Sequence, residues 1–245
     1  MKRVLLSVGL LVVSVFCLFF VFEVPRIVYG QHAIFAVETY MKSMASSGGC
    51  SGLAVSTGNA AYLAQRQITL KTYAAVEDLH SSVSGVGNGW ARVLVTLELT
   101  LKDGSPDVGW YTVDLIRSGR DWQVVSVKER APEIPGGSLF RRTESISQTE
   151  KVFKRYLDEV VNKNWKSAGK SLVGPARRNH ELSTPVFAKG TPIKSYQGLH
   201  FQPLYHKGRV AVIGASYLAD GRRVELMLYE YKTKQGWRIM DIIPA

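Results

Sequence analysis

The chain has 245 residues, 46% of them hydrophobic and 21% charged, enough for two domains of about 100 residues each and too apolar for an extended disordered chain. Its formal net charge of +11 is unevenly spread, with 10 Lys+Arg against 9 Asp+Glu over Val24 to Ala131 and 19 against 10 over Pro132 to Ala245. The basic half suggests an anionic neighbour, such as lipid headgroups, cell-wall polymer, nucleic acid or an acidic protein, the alternative being a merely soluble basic surface. Cys17 and Cys50, the two cysteines, exclude a disulfide framework and a CxxC metal site, so the fold rests on its hydrophobic cores.

Lys2-Arg3 precede Val4 to Phe22, 19 residues without a charge, a run whose helical length is close to the bilayer hydrocarbon thickness. Positive charge before it and Glu23 after it predict a cytoplasmic tip over 1–3, a transmembrane anchor over 4–22, and a single-pass cell-membrane protein with its bulk outside. A cleaved signal peptide is the competing reading, although the apolar core exceeds the usual h-region and Val28-Tyr29-Gly30 is a poor cleavage site.

Gln31 to Met44 reads as an amphipathic helix with Ala33, Val37, Tyr40, Met41 and Met44 on one stripe. Ser46 to Gly52 reads as a Gly/Ser loop, Leu53 to Gln65 as a weaker helix interrupted by Gly58, and Ile68 to Val76 as a strand. Ser81 to Gly89 follows as a turn-rich hairpin loop, whose glycines lack phosphate-loop spacing. Trp90 to Lys102 alternates strictly, with Val93, Val95, Leu97, Leu99 and Leu101 on one face, which predicts an antiparallel sheet with one buried side. Asp103-Gly104 turns the chain, Trp110 to Arg117 returns, and Trp122 to Lys128 closes a meander.

Arg130 to Thr143, with Pro132 and Pro135, reads as an interdomain linker. Ser147 and Glu150 have capping-box spacing, and the helix they open carries Phe153, Tyr156, Leu157, Val160, Val161 and Trp165 on one side. A short helix over Lys166 to Leu172 stops near Gly174-Pro175, Ala176 to Thr191 reads as polar and irregular, and Ile193 to Tyr205 is extended. Gly208 to Ala245 then repeats Arg92 to Glu129. Each copy has an Arg-Val start, a β-rich run, Asp-Gly (Asp103-Gly104, Asp220-Gly221), a second run, a polar turn and a Trp (Trp122, Trp237). The chain is therefore read as two copies of one unit, 31–130 and 145–245, joined by a linker over 131–144.

Each half reads as long helix, short helices, one strand and a three-stranded meander. That order resembles the NTF2-like (cystatin-like) fold, an α+β architecture in which a curved antiparallel sheet wraps a long helix. Anchor and tandem units together resemble the TcpC-type conjugal transfer membrane proteins, which are similar to VirB8-like components of secretion channels. The local matches are the proline-bearing linker, Phe153-Lys154-Arg155-Tyr156-Leu157, the strand end at Tyr217 to Asp220, and Gly236-Trp237-Arg238-Ile239. The short cytoplasmic tip and the Gly-rich Ser46 to Gly52 depart from that family. The resemblance implies a non-enzymatic, membrane-anchored scaffold of a conjugative, type IV secretion-like transfer apparatus, with its C-terminal domain engaging partners.

Acid–base chemistry in such a cone needs a base and an opposed proton donor. Asp114, Asp241, Tyr217, His200 and His206 are the candidates. Strict alternation puts Trp237, Ile239, Asp241 and Ile243 on one strand face, so Asp241 is expected to point inward, where burial raises a carboxyl pKa. No acid–base pair is evident, so no catalytic residue is assigned, and His200 and His206 have no third ligand, so no metal or cofactor is expected. The expected binding residues are Arg177, Arg178, Arg222, Arg223, Arg238 and Asp241. The expected partners are other membrane components of a transfer or secretion complex, the cytoplasmic membrane through Val4 to Phe22, further copies of the chain, and an anionic cell-wall polymer. Alternative readings are an extracytoplasmic binding module for wall polymer or a small ligand and, third, an NTF2-like isomerase or hydrolase.

Overall fold

The structure, a computed structural model, describes residues 27–45, 50–70, 75–132, 144–187, 189–190 and 193–245. The expected anchor over Val4 to Phe22 and most of the expected linker lie outside the described residues. Among those described, no helix is long and apolar enough to cross a membrane.

The described chain begins with helix α1 (27–45), α2 (Cys50–Ala54) and α3 (Gly58–Leu70), followed by strands β1 (Ala75–Gly87), β2 (Trp90–Thr100), β3 (Pro106–Ser118) and β4 (Asp121–Glu129). The series then recurs as α4 (Glu144–Val161), α5 (Trp165–Gly169), α6 (Gly174–Phe187), β5 (Tyr196–Lys207), β6 (Val210–Ala219), β7 (Arg222–Thr233) and β8 (Gly236–Pro244). Each strand set forms a four-stranded sheet in sequential order, β1-β2-β3-β4 and β5-β6-β7-β8. This is an α+β arrangement of two four-stranded sheets with helices. The described residues up to Leu97 with Trp110–Arg130 form one compact unit, and Glu98–Gly109 with the described residues from Ala131 onward form the other.

In the first unit the stripe of α1 is buried at Ala33, Val37, Tyr40 and Met41, as its period requires. The Tyr40 hydroxyl donates to the Ala60 carbonyl at 2.9 Å, and burial pushes the phenol up to about 12. Val93, Val95 and Leu97 of β2 are buried together with Trp110, Val113, Leu115, Trp122 and Val124. Three local expectations are corrected in this unit. Residues 68–70 belong to α3, not to a strand. Gly58 does not interrupt one helix; it begins a new one, with φ 56. Ser81 to Gly87 is strand, not loop, because its glycines make room for the Trp90 ring: a Cβ at Gly87 would sit 2.3 Å from Trp90 Nε1.

The second unit is built on α4. Phe153 and Leu157 are buried with Leu172, Ile213, Ala215, Tyr217, Leu228 and Ile239, and the Phe153 ring lies 6.2 Å from Phe201 and 6.1 Å from Tyr217. Here α4 starts at Glu144, so Ser147 lies inside it and is no N-cap, contrary to the capping-box expectation. The larger correction is α6: Ala176 to Phe187, expected to be irregular, is helical. Gly174 enters the helix with φ 56, Pro175 suits a first turn that needs no amide donor, and the Asp107 carboxylate accepts the Gly174 amide at 2.7 Å.

Within this unit the segment Glu98–Gly109 supplies two acids that pair with arginines of the basic half. Glu98, a side chain only 3% exposed, pairs with Arg209 and accepts the Lys234 amide at 2.7 Å. Arg177, 12% exposed, donates to Ser105 Oγ at 2.7 Å and lies 3.6 Å from Asp103 and 2.9 Å from Glu181.

In both units the free edge of the last strand is covered. Thr57 N–H donates to Val124 O and Val124 N–H to Val55 O, both at 2.9 Å, while Val173 N–H donates to Ile239 O and Ile239 N–H to Ser171 O, also at 2.9 Å. The loops that make these bonds lead directly into α3 and α6.

Glu230 is a buried carboxylate without a hydrogen-bond partner among the described residues. It is wholly buried on β7, between partners Ala211 and Ile239. Burial holds its pKa well above the usual carboxylate range. A raised folded pKa means that its stability contribution is full below the unfolded value of about 4.3 and is lost as pH rises through the folded value. Denaturant titrations should therefore show wild-type stability falling from pH 5 to pH 8 more steeply than that of Glu230→Gln. Separately, Phe153→Ala should cost about 3–5 kcal/mol in the same measurement.

Candidate binding pocket of the second unit

The residue with the best sequence argument for chemistry, Asp241, sits on β8 just after an irregularity. Tyr229 pairs with Asp241 and Glu230 with Ile239, leaving Met240 as an extra residue in the ladder. A bulge of this kind inverts the faces beyond it. Ile242 therefore joins the core while Ile243 is 39% exposed, and the expected common face of Trp237, Ile239, Asp241 and Ile243 does not exist. Asp241 instead lines a hollow of about 150 Å³ formed with Tyr156 of α4, with Ala176, Asn179, His180 and Ser183 of α6, and with Leu172 and Ile242. Its carboxylate accepts the Ile242 amide at 2.9 Å.

His180 is the residue sequence reasoning missed. It is 6% exposed, and its Nε2 lies 2.9 Å from the Trp165 carbonyl oxygen. A carbonyl only accepts, so this contact assigns the proton of the neutral ring to Nε2 and leaves a lone pair on Nδ1. Among the described residues Nδ1 has no partner. The Cδ2–Nε2 edge faces α5, since a Cβ on Gly169 would lie 3.5 Å from Cδ2, so Nδ1 is turned away from that helix. The Tyr156 ring stands edge-on, 6.0 Å from the imidazole, and burial first, then Tyr217, raises its phenol to about 12. Tyr156 is therefore a hydrogen-bond donor at physiological pH. The hollow is lined by one phenol, one carboxylate, an amide and a hydroxyl over an apolar floor, suited to a small polar ligand, with the His180 Nδ1 buried beside it. The missed signal was α6 itself, because only a helix brings residues 176, 180 and 183 to one side.

The six expected binding residues do not converge. Arg177 is held by Asp103, Ser105 and Glu181 as described above. Arg178 acts electrostatically on Asp107, whose pKa is raised by burial and pulled back by amide bonds and the two arginines. Arg222 flanks the β6–β7 turn opposite Ala219, and Arg223, 74% exposed, pairs with Glu225 at 2.5 Å. Arg238 is half-buried, donates to the Trp237 carbonyl at 2.7 Å, and has its pKa lowered by burial and then by Arg155.

The remaining sequence candidates are also dispersed. Asp114 pairs with Arg92 at 2.7 Å, and Tyr217 packs on Phe153 and Tyr196. His200 and His206 lie on different rungs of the β5–β6 ladder, opposite Ser216 and Ala211, with the His206 ring 5.7 Å from Trp237. No group of three His, Cys, Asp or Glu among the described residues is placed to hold a metal ion.

No protein-family model matches the chain, and no curated protein matches it. Among solved structures, one described as an Ntf2 like protein involved in plasmid conjugation aligns over 84% of this chain and 93% of its own length, at 10% identity and a TM-score of 0.33. At that level the likeness carries no argument about what this chain does.

The hydrogen bond from His180 to Trp165 predicts that His180→Ala destabilises the second unit by about 1–3 kcal/mol, read from denaturant unfolding. Asp241→Asn, which keeps an acceptor for the Ile242 amide, should change stability by less than about 1 kcal/mol.

Proposed function

We propose that the chain is a non-enzymatic, membrane-anchored assembly component of a conjugative transfer apparatus, with Val4 to Phe22 as an uncleaved anchor and both units outside the membrane. The observation that carries the reading is the filling of the second sheet's inner face by α4: Phe153 and Leu157 take the space in which a substrate would otherwise lie. What remains is the 150 Å³ hollow at the margin, where no acid and base are in hydrogen-bond contact. Its partners in this reading are other membrane components of the apparatus and further copies of the chain.

A second reading, a binding module for an anionic cell-wall polymer, is favoured by the excess of 19 Lys+Arg over 10 Asp+Glu between Pro132 and Ala245. The two readings separate in the host strain. Deleting the gene should reduce DNA transfer to background, full-length chain should restore it, and a secreted version lacking residues 1–26 should not. Unchanged transfer in the deletion strain would remove the conjugative reading, and full rescue by the secreted version would remove the anchoring requirement.

A further inference from the structure

The basic charge of the second unit has a focus in the chain that leads into α6. Between Val160 and His180 the chain carries Lys163, Lys166, Lys170, Arg177 and Arg178 and no acid. Arg177 is taken up by Asp103, Ser105 and Glu181. The three lysines are exposed, and no ion pair to any of them is found among the described residues. They line one open groove of about 630 Å³ along α5 and the turn before it. Trp165 lies among them, and Asn164, Ser167 and Thr184 complete the lining. Every residue of the lining carries a hydrogen-bond donor and none carries a negative charge. A second hollow of about 310 Å³ shares Trp165, Lys166, Lys170 and Thr184 with the first and adds Asp103 and Glu181, both paired with Arg177.

We infer that this groove binds a phosphodiester polymer of hydroxylated repeat units, the poly(glycerol phosphate) type of cell-wall chain. The inference rests on the second unit facing the wall side of the membrane. Three ammonium groups meet the phosphates, and Lys166 and Lys170, one helical turn apart, are about 6 Å from each other at their Cβ atoms. Asn164, Ser167 and Thr184 meet hydroxyl and phosphate oxygens. An open groove suits a chain more than a compact anion. Single-stranded nucleic acid is the other phosphodiester, but its binders offer a series of aromatic faces to successive bases, and this groove has one ring against six polar side chains.

The test uses the full chain in detergent micelles and fluorescence anisotropy. The probes are a labelled poly(glycerol phosphate) oligomer and an oligothymidylate with the same number of phosphates. The wild-type chain should bind the polyol probe about tenfold more tightly than the nucleic acid. Replacing Lys163, Lys166 and Lys170 together by Gln should weaken that binding by about tenfold or more and reduce the slope of log affinity against log salt by about 2. The exposed positions of the three lysines predict an unchanged unfolding midpoint for this variant, measured alongside. Equal or tighter binding of oligothymidylate, an affinity untouched by the triple replacement, or wild-type binding that is indifferent to salt would each overturn the inference. Binding of the polyol probe does not depend on DNA transfer, so its failure and failure of the conjugative reading are told apart.

Discussion

Backbone pairing between a loop and the outer edge of the last strand is the constraint on which each unit depends. An uncovered edge strand exposes a row of amides and carbonyls that pair with any passing strand. Here Ser171 and Val173 bond to Ile239, and Val55 and Thr57 bond to Val124. That pairing fixes where the following helix starts, and both helices enter through a glycine at φ 56, Gly58 and Gly174. In the second unit it sets α6 beside β8, so His180 and Asp241 line one hollow. The loop before it carries α5 and its lysines.

The duplication was legible because it is written in local patterns. Alternation in β2 and the Asp220-Gly221 turn, flanked by the Ala219–Arg222 pair, follow from residues adjacent in sequence. So does the stripe on α4, whose Phe153 and Leu157 fill the sheet. What was not legible depends on distant partners. Glu98 falls on the buried side of the count because Arg209 and Lys234 lie 111 and 136 residues away. Met240 becomes a bulge through its pairing with β7, and that one extra residue removes the face on which Asp241 was expected. The glycines of β1 looked like a loop until the Trp90 ring gave them a reason to lack side chains. α6 was missed because its apolar contacts are few and Pro185 lies inside it. The repeat still contained the clue, since Gly174 stands where Gly58 does.

The candidate site was less legible than the fold. Net charge marked the basic half but did not separate exposed basic residues such as Arg223 from those held in the structure such as Arg177. Several of the arginines are spent on structure: Arg177 anchors the Asp103–Ser105 turn and Arg238 is half-buried. Lys163, Lys166 and Lys170, on and around a short helix, remain exposed, and the acid-free stretch from Val160 to His180 was visible in the sequence as their signature. Pocket chemistry also depends on tertiary detail, because a bare Nδ1 on His180 exists only where Nε2 meets the Trp165 carbonyl.

The central proposal is that recognition takes place on the surface of the second unit and that its function does not run through Asp241 in the small hollow beside β8. One comparison in the host strain addresses it: DNA transfer frequency with Lys163, Lys166 and Lys170 replaced together by Gln, against transfer with Asp241→Asn, each variant present at wild-type level in the membrane. The account predicts impaired transfer for the lysine variant and wild-type transfer for Asp241→Asn. Loss of transfer on Asp241→Asn, with the lysine variant unaffected, would contradict it.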